Sequence, residues 1–268
     1  MATLVNTTIN DTGFLTVASG TTAQRSGSPV TGMTRYNTSI NAVEVYNGTY
    51  WYTSNLIIPV NQVGLVSYLD AGIKASYPGS GTTWFDLSGL GNNGTLVNSP
   101  IYASTYGGQF SFNKSTTYIS LPTGLLTSND FTIIMWVLGD GTGAAQTIFA
   151  NYPSSNLQLF YGTSYVGMYL GNGSAYANAA TWYSSQIVQF TAIRSGTTTQ
   201  VFINNNLAVT GSSSSATGSS LNAFRIGTNT SGGEQYGGTV FTCQVYNRAL
   251  TTTEITNNYS YFRARFGV

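Results

Sequence analysis

The sequence predicts an all-β protein: a two-sheet antiparallel sandwich with a small N-terminal β-meander and one C-terminal helix. Three observations point there. Short apolar runs recur from residue 61 to 250, divided by Gly-, Asn- and Ser-rich turn signals at the spacing of sandwich strands. Charged residues are only 6% of the chain while Thr, Tyr, Gly and Asn abound, which favours pleated sheet and turns over surface helices. Helical periodicity occurs once, where Ile255, Tyr259, Phe262 and Phe266 follow a Thr251/Glu254 capping box.

The elements follow in order. Thr21–Pro29 reads as irregular and extended. Met33–Asn37, Ala42–Tyr46 and Thr49–Tyr52 are alternating runs separated by turn signals at 38–41 and at Asn47-Gly48. Three such strands are barely stable alone. Their apolar residues Tyr36, Val43, Val45, Tyr46, Tyr50 and Trp51 are therefore expected to form an assembly interface. This divides the chain into an attachment segment, 1–60, and a sandwich domain, 61–268. In the sandwich, Gly64–Asp70 opens, and Gln109–Asn113 and Tyr118–Leu121 follow. Phe131–Leu138 is the strongest strand; Ile148–Phe149, Leu157–Tyr161 and Val166–Leu170 continue the series. Ile187–Arg194 and Gln200–Asn204 make a hairpin, Ala223–Gly227 comes next, and Val240–Tyr246 closes. Phe131–Leu138 and the closing strand are expected in paired or facing central positions.

Composition excludes several functions. No histidine is present, so Ser-His-Asp, Cys-His and His-zinc chemistry is absent. The eight acids lie no closer together than ten residues in sequence, and none shares a strand with a second acid. Paired-carboxylate glycoside hydrolysis is thus disfavoured, and no enzymatic activity is expected. Net charge is +1 without a basic stripe, against a nucleic-acid partner. The single Cys243 lies in an apolar strand and reads as a buried hydrophobe. No run suits membrane insertion, and the N-terminus lacks a signal peptide pattern, so a soluble, unexported chain is expected. Loop tyrosines can stack on sugars while their hydroxyls hydrogen-bond. Tyr152, Tyr161, Tyr165, Tyr169, Tyr176, Trp182 and Tyr183 fall in or beside the Gly/Ser/Asn-rich middle, where rim loops are expected. They are the candidate ligand-binding residues. Trp51 and Trp136 read as packing residues.

The segment from Gly237 through "YNRALTTTEI" to the chain end resembles the closing strand and terminal helix of laminin-G-like domains, of the concanavalin A-like jelly-roll superfamily. Asp70–Asn98 resembles the entry segment of phage-encoded members. The string from Thr21 to Trp51 resembles segments of bacteriophage tail fibres and other virion proteins. The resemblance implies a phage virion surface protein that binds host-surface polysaccharide through a lectin-like jelly roll. The same features suit a structural capsid decoration protein or, less well, a glycan depolymerase. It further implies self-association of this chain around a threefold axis, as a homotrimer, and contacts with other virion proteins. No cofactor is required. A structural Ca2+ at the sandwich rim is one option, with Asp140 and either Asn151 or Asn172 as oxygen ligands. Asp70 with Asp86 is a second pair, for which turn chemistry is the stronger reading.

Overall fold

The computed structural model describes residues 17–39, 42–46, 48–49, 51–53, 60–142, 145–152, 156–171, 173–178, 186–215, 223–229 and 234–268. The chain forms two compact units, Met1–Val60 and Asn61–Val268.

In the first unit, β1 (Ser19–Gly20), β2 (Thr34–Asn37), β3 (Ala42–Tyr46) and β4 (Trp51–Thr53) make one four-stranded sheet in sequence order. The expected meander has gained a fourth strand, because β1 pairs parallel to β2. The residue at its centre is a carboxylate. Glu44 is fully buried and takes an ion pair of 2.6 Å from Arg25 and a second, of 3.7 Å, from Arg35. Asn37 Nδ2 donates to the same carboxylate at 2.9 Å. Cross-strand register puts Tyr36 opposite Val43 on one face, while Tyr46 and Trp51 share the Glu44 face, their rings 5.6 Å apart. The five described residues of the expected apolar interface are therefore divided between two faces, with Val45 on the Tyr36 side. Tyr36, Val43, Val45, Tyr46 and Trp51 are half-buried; Tyr50 lies outside the described residues.

The second unit is the predicted sandwich. Its strands are β5 (Leu65–Asp70), β6 (Thr83–Trp84), β7 (Gly94–Val97), β8 (Ile101–Ala103), β9 (Gln109–Ser111), β10 (Tyr118–Leu121), β11 (Phe131–Leu138), β12 (Thr147–Tyr152), β13 (Leu157–Tyr161), β14 (Tyr165–Leu170), β15 (Gly173–Asn178), β16 (Val188–Ser195), β17 (Thr198–Ile203), β18 (Asn206–Ser212), β19 (Ala223–Ile226) and β20 (Thr239–Tyr246). One sheet runs β15-β14-β13-β12-β19-β10-β7-β6. The other runs β18-β17-β16-β11-β20-β9-β8, with β5 also paired to β20. As expected, β11 and β20 are direct antiparallel neighbours near the middle. Ile133 and Met135 on β11 meet Phe149, Leu159, Met168 and Ile226 of the facing sheet in a single apolar core. Cys243 is buried in it, and burial pushes its thiol pKa up.

The helix α1 (Thr252–Phe266) covers the outer face of the β11/β20 sheet. Thr251 and Glu254 form the predicted capping box, and Gly267, at φ 71°, ends the helix in the left-handed conformation that suits glycine. Ile255 and Phe262 point inward, Tyr259 is half-buried, and Trp136 stacks on Phe266 at 4.5 Å and on Tyr259 at 5.8 Å. Helical periodicity alone did not foresee Asn258. It is buried, accepts from Gln189 Nε2 at 2.8 Å and donates to Gln244 Oε1 at 2.6 Å, bridging two strands.

Arg248 and the Thr251 cap hold the Glu254 carboxyl at about 2, well below its usual 4.5. A depressed acid contributes stability above its unfolded pKa and loses it as pH falls. The Tm gap between wild type and Glu254→Gln is thus widest near neutral pH and closes between about 4.5 and 2; a pH-independent gap in thermal melts contradicts this. Glu44→Gln leaves two guanidiniums facing a neutral amide and destabilises the first unit by about 2 kcal/mol or more. Hydrogen exchange of the β2 and β3 amides reads that loss, and unchanged protection refutes it.

Candidate functional site

Among the described residues, no helix covers the outer face of the sheet containing β12, β13 and β14. Its composition follows from strand alternation. Leu157, Leu159 and Tyr161 of β13 point into the core, so Gln158 and Phe160 point out. Val166, Met168 and Leu170 do the same on β14, which turns Tyr165 and Tyr169 outward. Register then lays Ser120, Arg225, Ala150, Gln158, Tyr169 and Ser174 in a band across six strands. Arg225 lies over the Tyr118 ring at 4.3 Å.

Beside this band is a hollow of about 360 Å³ lined by Ala145, Phe160, Tyr165 and Glu234. The chain beside its carboxylate is tied to Gly227, whose carbonyl accepts from Tyr236 N at 2.9 Å. Gly227 sits at φ 95°, and a Cβ there would come within 2.7 Å of the Phe112 ring. The Glu234 carbonyl accepts from Thr147 N at 2.8 Å, and Gly237 N donates to Gln146 Oε1 at 2.9 Å. The segment is thereby laid against the start of β12. Gln158 is buried, and its Nε2 donates at 2.6 Å both to Thr147 Oγ1 and to Glu234 Oε2. Buried Asn229 donates to the same Oε2 at 3.1 Å. Glu234 Oε1 has no protein partner among the described residues. The hollow thus combines a fixed carboxylate oxygen, a phenylalanine ring and a tyrosine that is 51% exposed.

The sequence-predicted residues fare unequally here. Tyr165 lines the hollow. Tyr161 is a correction: it is fully buried on β13, edge-to-face with Phe190, and has no surface to offer a sugar. The middle of the chain is also less loop-like than expected, because residues 173–178 form an edge strand. Tyr176 is on that strand, opposite Gly167, and Tyr152 ends β12, opposite Ala223. Trp182 and Tyr183 lie outside the described residues, as does Asn172. Asp140 faces Lys114 at 3.1 Å and accepts from Thr142 N, Thr142 Oγ1 and Gln146 Nε2. Partial burial works to raise its pKa, but these donors prevail and hold it at about 2. Asn151 is buried within β12 and accepts from Leu157 N at 2.6 Å. Asp86 accepts from Tyr68 N, Ser88 N, Ser88 Oγ and Asn92 N, the turn chemistry expected of it. Asp70 pairs with Arg265 at 2.7 Å and caps Gly72 N. Gln158, Phe160, Asn229, Arg225 and Glu234 were not singled out in sequence. The outward positions of the first two were legible in the alternation of Leu157–Tyr161.

Fold and face together define a jelly-roll sandwich of lectin type. The chain belongs to the Concanavalin A-like lectin/glucanases superfamily, whose profile matches residues 113–256, more than half of it. No curated relative matches by sequence. Among solved structures it is similar to domain 4 of AbnA, a GH43 extracellular arabinanase from Geobacillus stearothermophilus in complex with arabinotriose. That match has a TM-score of 0.57 and 17% identity, covering 74% of this chain and 98% of that one. It is also similar to the binding domain of botulinum neurotoxin DC in complex with rat synaptotagmin II, with a TM-score of 0.56, 11% identity and 74% of this chain covered. The receptor binding domain of botulinum neurotoxin type G matches with a TM-score of 0.50 and 15% identity, again over 74% of this chain. The chain spans about half the length of these toxin domains (52% and 51%). At such identities the likeness is one of fold.

Tyr165 is a clean probe of the hollow because its ring is half in solvent. Tyr165→Ala changes folding stability by no more than about 0.5 kcal/mol. A Tm loss of many degrees shows instead that the ring is a packing residue.

Proposed function

We propose that this protein is a carbohydrate-recognition protein without catalytic activity, binding glycan on the outer face of the β12–β14 sheet. The observation that carries this is the hollow of Glu234, Phe160 and Tyr165, which joins aromatic rings to a preset polar atom in the manner of sugar sites. The neighbours lend support. The arabinanase domain was solved with arabinotriose, and the botulinum neurotoxin type G domain is named for receptor binding. The non-enzymatic reading rests on Glu234 being the one carboxylate among the described residues lining the hollow, whereas glycoside hydrolysis uses two. The function calls for no metal; a Ca2+ at Asp140 and Asn151 would be structural.

The finer reading is a bacteriophage virion surface protein directed at host polysaccharide, held to other virion proteins through residues 1–60, with trimeric assembly. It rests on the resemblance of Thr21–Trp51 to tail-fibre segments, and a capsid decoration role is its alternative. Calorimetry of the full chain against a panel of bacterial surface polysaccharides and plant oligosaccharides tests the central claim. Binding that weakens at least tenfold in Tyr165→Ala supports it. Absence of binding across the panel, or binding indifferent to Tyr165→Ala, sinks it.

A further inference from the structure

We infer that the hollow selects uncharged sugars, because every polar atom that Glu234 and Gln158 leave to a ligand is a hydrogen-bond acceptor. This deepens the carbohydrate reading above and rests on it. A primary amide has two N–H hydrogens, and Gln158 commits both, one to Thr147 Oγ1 and one to Glu234 Oε2, each at 2.6 Å. The carboxylate fixes which atom of the amide is nitrogen, so Gln158 Oε1 is the atom left over. Asn229 adds a second donor to the same Oε2. Glu234 is thereby clamped through one oxygen, and Oε1, an acceptor carrying negative charge, is what it presents beside Phe160 and Tyr165.

A sugar hydroxyl is a donor and matches such an atom, and a hydrogen bond to a charged acceptor is among the stronger kinds. A uronate or sulfate offers acceptors only. Set against Glu234, it places like charges together in a half-desolvated space. The cation on this face does not rescue it. Arg225 lies on β19, separated from Gln158 by β12, roughly 10 Å away at the usual strand spacing, and its guanidinium already lies over Tyr118. Ion pairing elsewhere is equally remote in role, since the Lys114 amine is bound to Asp140 and Thr142. Gln158 and Asn229 are positioning residues: they act on the ligand through the carboxylate they hold.

The test uses the full chain and paired probes: neutral gluco-, xylo- and arabino-oligosaccharides of three to six units, and oligouronates and sulfated oligosaccharides of the same lengths. Wild type binds at least one neutral probe ten or more times as tightly as any charged one. Glu234→Gln is nearly isosteric, and the amides of Gln158 and Asn229 will hold its carbonyl oxygen, turning an NH2 donor toward the ligand. The neutral probe then loses roughly tenfold or more in affinity, and the preference over oligouronates disappears. Gln158→Ala weakens neutral binding but keeps the preference, because the charge remains. Circular dichroism and Tm confirm folding of each variant. Should Glu234→Gln not fold, Glu234→Asp, which retracts the charge by one methylene, takes its place and is expected to weaken neutral binding. A wild type that prefers charged probes, or a neutral preference unchanged in the Glu234 variants, overturns the inference while leaving carbohydrate recognition intact. Absence of binding to every probe removes both.

Discussion

The fold depends on the last strand being paired along both of its edges. β20 lies against β11 on one side and against β5 and then β9 on the other, and all eight of its residues are buried. It joins the first strand of the sandwich to the middle of the chain. Without it, one sheet falls into three pieces, β18-β17-β16-β11, β9-β8 and β5, and α1 loses half of its platform. The strand's alternation serves two layers: Cys243 and Val245 enter the sandwich core, while Gln244 meets Asn258 of the helix. Such pairing is non-local in the extreme, so most of the sandwich has to wait for the chain's end before its central sheet can form.

The two outer faces of the sandwich are unequal for that reason. One is closed by α1 through Trp136, Phe266 and the Gln189–Asn258–Gln244 amide chain. The other has no helical cover among the described residues, and its polar groups are held by short contacts along the strands. A recognition face needs this rigidity. Gln158 sits on a strand interior, Glu234 is tied at backbone and side chain, and Phe160 is braced between strands, so little ordering remains to be done when a ligand arrives.

How far the sequence revealed this depended on the range of the interactions. The central strands and the capped helix were legible because periodicity and capping are local. Phe131–Leu138 and Val240–Tyr246 needed only their own residues to announce burial. The short strands Thr83–Trp84, Gly94–Val97 and Ile101–Ala103 were less evident, since two to four residues carry little periodicity. Gly173–Asn178 was hidden by its turn-like composition. Tyr161 misled because a tyrosine beside glycines suits a loop, although the alternation of Leu157, Leu159 and Tyr161 already turned it inward, where it meets Phe190. Glu234 was beyond reach. Its place depends on amides 5 and 76 positions away in sequence.

Scarcity of charge has a kinetic side. Among the described residues, Glu44, Asp70, Asp140 and Glu254 are each matched to a cation within 4 Å, on a chain of net +1 with only 6% charged residues. Paired charges cancel over a distance shorter than the Debye length of physiological salt, about 8 Å. A molecule approaching this protein is neither drawn in nor turned by a field from afar. Its capture rate is that of random diffusional collision, largely indifferent to ionic strength. Discrimination among passing molecules is then made after contact, in how long each one stays.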